Sequence, residues 1–196
     1  MPTVRVNNRQ ISYWEGKDEQ QAGRETILFV HGAGGGQLTW SLQKGSFERY
    51  THPIVIELPG HGESGGEGEQ EVERYAEHVH SFIRTLNLPK TVLVGHSMGG
   101  AGALYLGEKY APVWAAVAAL AGFSSPDPKG KMKDTPLYLT AGSLDRSSAS
   151  GRALAEQLKA GGMDCEFREV PGLDHGGIIG GAMPDVFKFF NEHIKK

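Results

Sequence analysis

The 196-residue sequence contains one cysteine, Cys165, so no internal disulfide can staple the fold. Cys165 sits in an apparent strand and reads as a small core residue rather than a reactive thiol. An excess of basic charge is also missing. Twenty Lys and Arg stand against 23 Asp and Glu, for a net charge of −3, and the basic residues are scattered. That balance removes the electrostatic case for a nucleic-acid partner. Long apolar runs are absent too. The longest, Trp114 to Ala121, falls far short of the roughly 20 residues a membrane-spanning helix needs. Met1 to Asn7 shows neither the basic start nor the apolar core of a signal peptide, so a soluble, cytoplasmic protein is expected. What the chain has in quantity is glycine, 28 residues, clustered at 32–36, 60–68, 95–102 and 176–181. Such clusters mark tight turns and close backbone approaches.

Between these clusters, apolar runs alternate with helical spacing. Thr3–Val6 and Gln10–Trp14 read as a hairpin about Asn7-Asn8. Thr26–Val30, Pro53–Leu58 and Thr91–Val94 are continuous apolar runs, as expected of strands covered on both faces. Trp114–Leu120, Leu137–Thr140 and Glu166–Val170 continue the series to eight strands. Val72, Tyr75, Ala76, Val79, Ile83 and Leu86 form one helical stripe, and Ala101, Leu104 and Tyr105 begin a second. Leu154 and Leu158 mark a third helix that Gly161-Gly162 ends. Pro184 suits the first position of a last helix with Val186, Phe189, Phe190 and Ile194 on its apolar side. This alternation predicts one α/β domain over residues 1–196, with a mostly parallel sheet and helices on both faces. Gly65–Gly68 and Ser125–Lys133 are expected to be the most mobile stretches.

The chemistry concentrates in Gly95-His96-Ser97-Met98-Gly99, a G-x-S-x-G element between an apolar strand and a helical pattern. A sharp strand-to-helix turn there would strain the serine and expose its Oγ, and side chains at 95 or 99 would collide with backbone. Serine needs a base, and His175, in the loop between the last strand and the last helix, is the best placed. The other histidines have plainer readings. His78 and His80 fall on a surface helix, His52 precedes a strand, and His193 is near the C-terminus. His31 and His61 fit turn-stabilising roles, and the His96 side chain is expected to point away from the site. Asp145, just past the penultimate strand, is the expected partner that orients the base; Asp174, adjacent to His175, is the alternative. The oxyanion donors expected are the backbone N–H groups of Met98 and Ala33, with Gly34 as second choice. No phosphate-binding glycine register fits.

The blocks His31-Gly32-Ala33-Gly34-Gly35, Glu57-Leu58-Pro59-Gly60-His61-Gly62-Glu63-Ser64 and Gly95 to Gly100 resemble the α/β-hydrolase superfamily, in order and over most of the chain. The first and third are similar to those of carboxylesterases and monoacylglycerol lipases. The resemblance implies the α/β-hydrolase fold and serine-dependent ester hydrolysis through an acyl-enzyme, without cofactor or metal. Two features depart from the pattern. Glu57 stands where aspartate is usual, and only 14 residues, 122–135, occupy the place of the helical cap. An open site on a small-molecule ester follows, favouring short acyl chains, with walls near Gly34, Leu38, Phe123 and Leu144. Thioester or amide hydrolysis and cofactor-free perhydrolysis would use the same side chains, and a non-catalytic binding protein on this fold remains the alternative of another class. Oligomeric state is not readable.

Overall fold

The computed structural model describes residues 1–16 and 23–193. Its eight strands are β1 (Thr3–Val6), β2 (Arg9–Glu15), β3 (Thr26–Val30), β4 (His52–Ile56), β5 (Thr91–His96), β6 (Trp114–Leu120), β7 (Leu137–Gly142) and β8 (Cys165–Val170). They form one sheet in the order β1-β2-β4-β3-β5-β6-β7-β8. β1, β2 and β4 pair antiparallel, and every pairing from β4 through β3 to β8 is parallel. The hairpin turns through Asn7 and Asn8, both at positive φ, a conformation asparagine tolerates better than most side chains.

The helices are α1 (Ser41–Glu48), α2 (Val72–Thr85), α3 (Met98–Lys109), α4 (Ser148–Ala160), α5 (Ile178–Gly181) and α6 (Met183–His193). Strand alternation divides the core in two. Leu28, Val30, Leu93, Val117 and Leu139 face α2, α3 and α4. Ile27, Phe29, Val92, Val94 and Tyr138 face α1, α5 and α6. Both faces are thus covered, and the strands read as unbroken apolar runs for that reason. On the second face Phe29 is closed over by Trp40 and Phe47, with ring centroids 4.9 and 5.2 Å away.

Several expectations are corrected. The 3-10 turn Gln37–Trp40 and α1 show no periodic signal in the sequence; α1 carries Gly45 and no side-chain cap, so tertiary packing of Trp40 and Phe47 forms it rather than local propensity. β4 stops at Ile56, the last residue paired with β3; the next N–H still meets β2, and only the one after it leaves the ladder. Glu57 N–H goes to the Ser12 carbonyl and Leu58 N–H to His31. Pro184 is the second residue of α6, after Met183; Ile194 lies outside the described residues. His78 is buried, not on the surface, because the 65–71 loop folds over α2 and brings Glu69 to 3.1 Å from its Nε2.

Both stretches expected to be mobile make tertiary contacts. Gly65 N–H reaches the Gln10 carbonyl. In the 122–135 connection, Met132 is fully buried and fills the space where Gly107 lacks a side chain. Between β6 and β7 the chain forms only turns, compatible with the expected absence of a cap. Among the described residues no helix is long and apolar enough to cross a membrane.

Candidate active site

β5 ends at His96 and α3 begins at Met98, so Ser97 alone makes the turn, at φ 57° and ψ −123°. A non-glycine residue held at positive φ is strained and persists only where its surroundings fix it. Here the fixing is steric. A Cβ on Gly95 would run into the Gly99 carbonyl, and one on Gly99 would sit 2.5 Å from the Val30 carbonyl oxygen. The backbones of β3, β5 and α3 therefore meet in a space that admits no side chain. Gly32 approaches from β3 so closely that its missing Cβ would stand 3.3 Å from Ser97 Oγ.

Asp145 and His175 meet at this carboxyl edge of the sheet. The Asp145 carboxylate Oδ2 accepts a 2.6 Å hydrogen bond from His175 Nδ1. A carboxylate has no proton to give, so the imidazole hydrogen sits on Nδ1 and Nε2 is left as an acceptor. The Asp145 side chain is 2% exposed and that of His175 51%, a buried anchor under an accessible ring. Burial alone would push the Asp145 carboxyl up, but the Ser147 and His175 hydrogen bonds outweigh it and hold it below its ordinary value. Ser147 N–H donates to Oδ1 at 2.8 Å. Asp174 does something else: its Oδ1 accepts from Gly177 N–H at 2.8 Å, closing a local turn. Ser97 Oγ makes no hydrogen bond to His175 in this structure; such bonds often tighten only when substrate is bound.

The loop 31–36 is held by two histidines. His31 Nε2 accepts from Leu58 N–H at 3.1 Å, so its Nδ1–H donates to the Gly32 carbonyl at 2.7 Å. His61 Nε2 accepts from Gly34 N–H at 3.3 Å, which commits that amide and leaves Ala33 as the loop's candidate donor. Met98 opens α3, and the N–H of a first helical residue has no partner within its helix. Glu57, buried, ties the second loop down by accepting from Glu63 N–H at 2.8 Å. Leu38 and Leu144 are 80% and 71% exposed, so they offer a rim rather than a wall. Phe123 packs against Gly151 and Phe167.

The His96 ring is not turned away. Its Nε2–H donates to the His175 carbonyl at 2.8 Å, and the two rings stand 4.8 Å apart. Strand alternation carried the signal, because His96 shares a face with Val92 and Val94, the face that α5 and α6 cover. Among the described residues no three His, Cys, Asp or Glu side chains are grouped to hold a metal.

Burial pushes the His31 and His96 imidazoles below their ordinary 6.5, against the opposing pull of the carbonyls they bond. The unfolded chain takes up those protons near pH 6.5 and the fold does not. Their contribution to stability is thus full above that pH and declines as pH falls through it. Thermal melts should show a lower midpoint at about pH 5.5 than at about pH 7.5, the two sides of the free-histidine value. Equal midpoints would show no net proton uptake on unfolding across this range, against the expectation.

The sequence pattern of the alpha/beta hydrolase family matches residues 27–132, more than half of the chain. The chain belongs to this family. Among curated relatives, the (E)-2-((N-methylformamido)methylene)succinate hydrolase of Acinetobacter baylyi is 33% identical over 94 residues, 47% of this chain and 34% of that protein. The dihydrolipoyllysine-residue acetyltransferase component of the acetoin cleaving system of Pseudomonas putida is 34% identical over 100 residues, 50% and 26% of the two chains. The matched stretch thus spans about a third or less of these relatives. Solved structures match over nearly the whole chain. Est1E from Butyrivibrio proteoclasticus, with ferulic acid bound, superposes with a TM-score of 0.83 at 14% identity over all of both chains. The enol-lactonase from Burkholderia xenovorans gives 0.79 at 16% identity, over 97% of this chain and all of that one. At such identities the likeness is one of fold.

Proposed function

We propose that this alpha/beta hydrolase is a serine hydrolase that cleaves carboxylic esters through an acyl-enzyme. One observation carries the reading: a buried carboxylate holds the Nδ1 side of an exposed imidazole at 2.6 Å, at the sheet edge where a strained serine is presented. Ser97 Oγ attacks the ester carbonyl as its proton passes to His175 Nε2. The tetrahedral oxyanion is received by the N–H groups of Met98 and Ala33. The bond to the alcohol then breaks, with His175 returning the proton to the departing oxygen. Water, deprotonated by the same imidazole, releases the acid and restores Ser97. Relatives named as a hydrolase and as a putative esterase/lipase support this chemistry. Labelling with a fluorophosphonate probe tests the reading, with the adduct expected on Ser97. A chain that folds but takes no label would make this a binding protein on a hydrolase scaffold.

The rim also sets a preference. Each methylene removed from water contributes about 0.8 kcal/mol, nearly fourfold in binding, but only where a wall covers it. Leu38 and Leu144 project into solvent, and the connection from β6 to β7 forms only turns. kcat/KM on nitrophenyl esters is therefore expected to peak at acyl chains of about two to six carbons, where burial stops adding. A steady climb to long chains would overturn this.

A further inference from the structure

The base loop has a long way to come. In the sheet order β5-β6-β7-β8, the strand that leads to His175 lies three positions from the strand that ends at Ser97. At the usual strand spacing that is about 14 Å. The loop after β8 must cross the ends of β7 and β6 before its imidazole can serve the serine. Its first half is pinned to the β7 end: Gly172 N–H donates to Ser143 Oγ at 2.9 Å, and Leu144 N–H to the Leu173 carbonyl at 3.0 Å. Beyond Leu173 those anchors cease. Asp145 fixes the His175 ring, yet Asp145 also belongs to the segment after β7. None of these bonds refers the base to the nucleophile's own strand.

One bond does. His96 Nε2–H donates to the His175 main-chain carbonyl at 2.8 Å, and His96 is covalently joined to Ser97. Among the described residues it is the group bonded to that carbonyl. The ring is buried, so water competes poorly for the bond, and its 4.8 Å approach to the His175 ring limits how far the imidazole can tilt. We propose that His96 is a positioning residue: it clamps the backbone of the base to the nucleophile's strand and so sets the Ser97 Oγ to His175 Nε2 separation. The proposal rests on the assignment of Ser97 and His175 as nucleophile and base. Its energetic logic is that of oriented reactants. Loss of the clamp leaves the acyl subsite intact and lets the base wander by a fraction of an ångström to an ångström, which costs rate rather than binding.

The test compares three variants of the whole chain, with circular dichroism to confirm folding. His96→Phe keeps a ring and removes the donor. His96→Asn adds no bulk and stops one bond short of the carbonyl, repeating the measurement should Phe disturb packing. His96→Gln places an amide N–H as far along the side chain as the imidazole Nε2. Phe and Asn are expected to lower kcat on a short nitrophenyl ester, and the rate of fluorophosphonate labelling, by about a hundredfold, with KM changed less than about threefold. Gln is expected to recover most of the loss. A merely structural role would instead lower the melting temperature without separating kcat from KM and without rescue by Gln. Wild-type kcat in folded Phe or Asn variants, or a Gln variant as slow as Phe, overturns the proposal. Failure of the underlying assignment looks different, since wild-type protein would then carry no label on Ser97.

Discussion

Ser97→Ala is expected to lower ester turnover by about five to six orders of magnitude, the scale on which removal of an activated nucleophile is felt. It should leave the fold intact. The Oγ accepts and donates no hydrogen bond among the described residues, so its removal orphans no buried partner. Alanine also meets much the same strain at φ 57° that serine already bears, because both have one Cβ and no branch. The strain is imposed from outside, by the collision of any side chain at Gly95 or Gly99 with neighbouring backbone. Matched far-ultraviolet spectra and kcat on a short nitrophenyl ester make the comparison. A folded alanine variant retaining more than a tenth of wild-type turnover would remove Ser97 from the mechanism. Residual activity above the uncatalysed rate would not, since the proposed oxyanion donors, the Ala33 and Met98 amides, would still polarise a bound carbonyl.

The strained turn at Ser97 was legible in the sequence because its signal is local. The glycines two residues to either side, the strand before it and the helix after it all fall within a short stretch. The buried strands were legible for a related reason: Thr26–Val30 and Thr91–His96 are covered on both faces and show no polar alternation. What escaped depends on contacts that no local pattern carries. α1 exists because Phe47 closes over Phe29 from a segment weakened by Gly45. His78 is buried because a loop with no periodicity of its own lays Glu69 across it. His96 is the instructive case. The period of two put it on the Val94 face, but its role depends on where the loop after β8 travels, and that path is set by glycines whose direction a sequence does not specify. The partner of His175 lay between these extremes. Strand ends supplied two aspartates, and the choice turned on a general rule about neighbouring residues.

That choice supplies the second large effect. Asp145→Asn is expected to reduce kcat/KM by on the order of 10³ to 10⁴, while Asp174→Asn leaves it near wild type. The asymmetry follows from what each carboxylate accepts. Asp145 receives two hydrogen bonds, from Ser147 N–H on Oδ1 at 2.8 Å and from His175 Nδ1–H on Oδ2 at 2.6 Å. An amide has one acceptor oxygen. If that oxygen stays on Ser147, the NH2 faces Nδ1, and the imidazole must move its hydrogen to Nε2, where it can no longer take the serine's proton. If the amide turns over, two N–H donors confront each other at a site 2% exposed, where an unmet donor costs about 1–3 kcal/mol. Either arrangement disables the base or loosens it. The negative charge that steadies the imidazolium during turnover is lost as well, and wild-type Asp145 keeps that charge to below its ordinary 3.8. Asp174 has the simpler task of accepting from Gly177 N–H at 2.8 Å, and the asparagine oxygen performs it equally well. The measurement is kcat/KM for both variants on one ester at one pH, with thermal melts to confirm folding. If Asp174→Asn proved the more damaging, the 2.6 Å contact would be a resting-state arrangement, and the loop after β8 would have to turn its own aspartate toward the imidazole during turnover.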